Sequence, residues 1–76
     1  MMSAQEKEDA KTVINSLDDI LNLTHRLRLF FNEHTETVEV FTLSDPFDAE
    51  PLRVINVQDD SARGVLEDVM RVINEL

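Results

Sequence analysis

The sequence predicts an α+β domain of the order helix, strand, strand, helix (α-β-β-α), completed by the pairing of two identical chains. Three observations carry this. Apolar residues are spaced 3-4-3-4 from Ala10 to His34, a period-two alternation starts at Thr37 and recurs at 52–57, and an apolar stripe follows a helix-start signal near residue 60.

The first helix is the organising element. Ala10, Val13, Leu17, Ile20, Thr24, Leu27, Phe31 and His34 hold one helical phase, and Ile14 with Leu21 and Leu23 with Phe30 widen the apolar face on either side. Ser3 and Glu6 have the spacing of a capping box, as do Ser16 and Asp19. The apolar phase passes through Ser16 unbroken, so the expectation is one continuous helix from about Gln5 to Glu33, with Met1–Asp9 as its polar, frayed extension. At 1.5 Å per residue that helix is roughly 40 Å long and overhangs the rest of so small a domain.

Residues 37–43 and 52–57 read as two strands joined by the turn-rich Ser44–Pro51 stretch. Pairing Val38 with Val57, Val40 with Ile55, Phe41 with Val54 and Leu43 with Leu52 keeps apolar residues opposite one another. It leaves the hairpin apolar on both faces. Beyond it, Asp59 or Asp60 caps a second helix that runs to about Glu75. Its stripe is Ala62, Leu66, Val69, Ile73 and Leu76, widened by Val65, Met70 and Val72. Gly64, the only glycine, costs roughly 1 kcal/mol against alanine in a helix, and a close contact would account for it.

The 76 residues form a single domain, 1–76, too short to bury a large core. With no cysteine to staple it, association is the expected supplement, and the overhanging helix seam (Val13, Leu17, Ile20, Leu21, Leu27) is the expected dimer interface. There is neither a signal-peptide core nor a membrane-length apolar run, so a cytoplasmic location is expected. The net charge of −9 opposes direct binding to nucleic acid or to an anionic membrane and favours a basic protein partner.

Motifs for catalysis or cofactors are missing. One glycine cannot build a phosphate cradle, and His25 and His34 lack the i, i+4 spacing of helix-borne metal ligands. Asp45, Asp48 and Glu50 suit a solvated turn better than a calcium loop. Neighbouring Asp18–Asp19 and Glu67–Asp68 point apart on their helices and do not form acid–base pairs. No cofactor, metal or catalytic residue is therefore expected. The candidate partner-binding residues are Phe47 at the hairpin tip and the acids around it, Asp45, Asp48 and Glu50, an aromatic anchor ringed by charge, although Phe47 folding back onto the core accounts for it equally well. The expected function is a small acidic, non-catalytic binding or regulatory module acting as a homodimer. The alternatives are a nucleic-acid mimic that inhibits a basic protein, of phage or mobile-element type, and an enzyme whose site the sequence does not reveal.

Overall fold

A computed structural model describes residues 1–43 and 50–76. The chain runs α1 (Ala4–Thr24), β1 (Leu27–Asn32), β2 (Thr37–Thr42), β3 (Arg53–Asn56) and α2 (Ala62–Glu75), an α-β-β-β-α arrangement. The strands form one antiparallel sheet in the order β1-β2-β3. Buried residues of both helices join the inner face of the sheet in a single core.

The N-terminus of α1 follows the sequence. Ser3 Oγ accepts from the Glu6 N–H at 3.1 Å, and Glu6 Oε1 accepts from the Ser3 N–H at 2.9 Å, a closed capping box. The backbone hydrogen bond from Ser3, with a smaller share from its hydroxyl, holds the Glu6 carboxyl below the usual range. The helix then passes through Ser16 without a restart.

Its C-terminus departs from the expectation of helix to Glu33. Thr24 Oγ1 turns back to the Ile20 carbonyl at 2.9 Å and lies 2.7 Å from His25 Nδ1, while Arg26 takes the left-handed conformation at φ 54°. The next residues form a strand in which Leu27, Leu29 and Phe31 alternate inward. Leu27 and Phe31 are four apart, a spacing that suits one face of a helix and one face of a strand equally well. The strand prevails because it also buries Leu29, which a helix would leave on its outer side, and because a two-stranded hairpin is marginal without a third strand. The consequence for shape is direct. Twenty-one residues of helix span about 32 Å, close to the 33 Å longest dimension of the fold, so the helix does not overhang.

Residues 33–36 turn the chain from β1 into β2, with His34 exposed in the turn rather than on a helical seam. Asn32 Oδ1 accepts from the backbone of His34 at 3.0 Å and of Thr35 at 3.3 Å, and Glu36 supplies the left-handed residue at φ 55°. β2 and β3 pair as expected in direction and face, but two residues out of the expected register. Val38 lies opposite Ile55 and Val40 opposite Arg53. Anchoring explains the shift: the Val57 N–H donates to the Glu36 carbonyl at 3.0 Å, fixing where β3 ends. A slide of two leaves every side chain on its own face, so Val38, Val40, Ile55 and Val57 are all buried. At the other end Leu52 donates to the same Val40 that Arg53 faces, so two residues answer one, as in a bulge.

The cap of α2 is Ser61, not Asp59 or Asp60, and its Oγ accepts from the Gly64 N–H at 3.3 Å. The buried line is Val65, Val69 and Ile73, with Val72 packed beside it, whereas Leu66 and Leu76 of the expected stripe are exposed.

Leu29, 8% exposed, separates the strand from the expected helix. Leu29→Ala should lower stability by about 2–5 kcal/mol in denaturant unfolding followed by far-ultraviolet circular dichroism. On the outer side of a longer helix the same change would stay within about 0.5 kcal/mol, and that result would reject β1.

Candidate functional site

Both helices lie on one face of the sheet, and among the described residues nothing covers its other face. Cross-strand register places the open-face residues in rows, with Arg28 beside Phe41 and Phe30 beside Glu39, which in turn faces Val54. Leu43, one step beyond Thr42 and bonded through its N–H to the Arg26 carbonyl at 2.9 Å, continues the row of Glu39 and Phe41. Phe30 is 52% exposed and Val54 57%, while Phe41 and Glu39 are half-buried by their neighbours. Arg28, Leu29, Phe30, Glu39 and Phe41 line a shallow depression of about 260 Å³. That is smaller than the pockets that enclose drug-sized ligands, and its open form suits a protruding side chain better. Hydrophobic patches of this kind mark contact surfaces more often than chemistry.

The edge of the sheet beside this face is closed to strand addition at its midpoint. In the ladder of β1 with β2 the Leu29 N–H points away from β2, and Asp18 Oδ1 from α1 accepts it at 2.8 Å. Asp18 thus acts through the backbone of β1 and not as half of a carboxylate pair with Asp19.

The expected site residues are dispersed. Asp45, Phe47 and Asp48 lie outside the described residues, and Glu50 is exposed where the description resumes. Leu21 and Leu27 belong to the core of the chain itself. Val13 and Leu17 are half-buried, Leu17 packing against that core, and Ile20 is exposed on α1. Sequence reading placed Phe41 and Val54 on one face but missed Phe30, Arg28 and Glu39 as its companions, because Arg28 and Phe30 were assigned to a helix.

A second cluster is formed by acids eight residues apart. A β-carbon at Gly64 would stand 3.2 Å from Asp60 Cβ and 3.3 Å from its Cγ and Oδ1, so the glycine leaves the slot that Asp60 occupies. Asp60 Oδ2 is shut off from solvent and faces no donor. Hydrogen bonding with Asp68 pushes the Asp60 carboxyl up to about 6. Burial and the charges of Asp68 and Asp59 add to the rise, and Arg71 opposes it. Arg71 Nη2 also holds Asp68 Oδ1 at 2.9 Å. The sequence signal was Gly64, a glycine in the first turns of a helix, where a close contact accounts for it.

No helix among the described residues is long and apolar enough to cross a membrane. No family model, curated protein or solved structure matches the chain.

The raised Asp60 carboxyl has a pH signature. The folded-state pKa of Asp60 lies above its ordinary value of 3.8, so its contribution is full below pH 4 and is lost as pH rises through about 6. Asp60→Asn, neutral at every pH, should remove that loss. Melting temperatures at pH 5 and pH 7.5 should therefore fall further apart in the wild type than in the variant. Parallel profiles would show that the Asp60 carboxyl is not raised.

Proposed function

We propose that the protein is a small, acidic, non-catalytic protein-binding module that works through the open face of its sheet. The observation behind this reading is the row pattern of that face. Phe30, Phe41, Leu43 and Val54 stand together on one side of a sheet whose other side packs its buried residues against the helices. In so short a chain, four large apolar groups kept in water oppose solubility, and a covering polypeptide removes that cost. Among the described residues that line the depression there is no cysteine, serine or histidine, and their one acid, Glu39, sits between phenyl and valine side chains. Such a site fits contact rather than group transfer.

A photo-reactive amino acid replacing Val54, with one replacing exposed Glu8 on α1 as control, tests this in the living host. Covalent adducts to polypeptide are expected from position 54 and not from position 8. Position 54 yielding no adduct, or both positions yielding the same ones, would reject the open face as the working surface.

A further inference from the structure

The charges on the open face select among polypeptides that could cover it. Arg28 and Phe41 are cross-strand neighbours, and so are Phe30 and Glu39 one row along. The four therefore form a checkerboard in which the two phenyl rings occupy one diagonal and the opposite charges the other. Successive rows on one face are about 6.7 Å apart and adjacent strands about 4.8 Å, so the two diagonals cross near the middle of the patch. A two-fold axis lying in the plane of the face along the Phe30–Phe41 diagonal then sets each ring against its own counterpart. The same rotation carries Arg28 of one copy over Glu39 of the other.

We infer that the polypeptide covering this face is a second copy of the chain, docked face to face about that two-fold axis, with Arg28 and Glu39 forming two reciprocal ion pairs. The inference rests on the open face being the working surface. An isologous contact needs a patch that is its own complement, and one cation and one anion placed symmetrically about an axis supply that. The patch is charge-balanced on a chain whose net charge is −9, so the repulsion between two copies is spread over surfaces that point apart. A basic partner, which the overall charge attracts, would meet Arg28 in the middle of the patch. Arg28 already makes an interaction within its own chain, and the five donors of a guanidinium allow it to serve a carboxylate of another chain as well. Strands of six, six and four residues, spaced about 4.8 Å apart, present roughly 250 Å² in projection per copy, so the pair is small among specific interfaces and its association is concentration-dependent.

Charge reversal tests the pairing. Masses come from light scattering with refractive-index detection, since the chain has neither tryptophan nor tyrosine. At 100 µM the wild type should weigh twice the 8.7 kDa of one chain. Arg28→Glu and Glu39→Arg should each weaken association at least tenfold, because each sets like charges together twice, and the double reversal should restore it. Val54→Ser, which removes apolar surface and changes no charge, should also weaken association, with circular dichroism confirming the fold of every variant. A wild type of single-chain mass overturns the inference, as do single reversals that leave the dimer intact or a folded double reversal that fails to restore it. Adducts from position 54 to a different protein would leave the binding module standing and reject the second copy as its occupant.

Discussion

Three segments of this chain meet on one side chain, Glu36. Its carboxylate accepts the Met2 N–H at 2.9 Å and lies 3.6 Å from Lys7 Nζ, while its backbone carbonyl takes the Val57 N–H. The start of α1, the β1–β2 turn and the end of β3 are thereby fixed to one another through a residue that is itself buried. A carboxylate in that position is tolerable only with donors facing it, and removing it would leave the Met2 amide without a partner. The left-handed backbone of Glu36 is strained for a non-glycine residue, and the contacts on both of its ends hold it there. The two-residue shift of the β2–β3 register follows from the same anchor.

The legible parts of the sequence were those set by local chemistry. Ser3 and Glu6 cap α1 as their spacing requires, and the faces of β2 and β3 follow from alternation alone. What failed was a decision between two periods. Leu27 and Phe31 satisfy both a helix and a strand, and only Leu29, which lies off the helical stripe, distinguished them. The cost of a left-handed Arg26 is invisible to a periodicity argument, and so is the gain from giving β2 a second neighbour. Register was lost for a related reason, since hydrophobic matching scores a slide of two nearly as well as the true pairing. Asp60 and Asp68 are eight apart across a helix start, and only Gly64 signalled that something lay close. The open face was half legible, through Phe41 and Val54. Its charges were not, because Arg28 had been assigned to a helix and Glu39 counted as the polar half of an alternation.

Two helices can cover one side of a three-stranded sheet and no more, and this limit connects the fold to the proposed function. The apolar surplus first assigned to an overhanging helix seam is divided: Ile20 and Leu23 stay exposed on α1, while Leu21 and Leu27 are consumed in the core of the chain. α1 ends within the length of the fold, and a second share of the excess stands on the sheet at Phe30, Phe41, Leu43 and Val54.

An exposed sheet offers other chains two routes of approach, along its edges or across its face. Edge pairing is unbounded and leads to aggregation, so a soluble chain has reason to oppose it. Here the Asp18 carboxylate occupies the Leu29 amide at the middle of β1, and an added strand would have to displace a charge-assisted hydrogen bond. At the opposite edge β3 is only four residues long and bulged at Leu52–Arg53, which limits the ladder it can offer. Face-to-face contact about a two-fold axis closes on itself after two copies and uses the same sheet face of each. Edges that resist extension and a face that is its own complement favour the same outcome, a finite pair rather than a fibre.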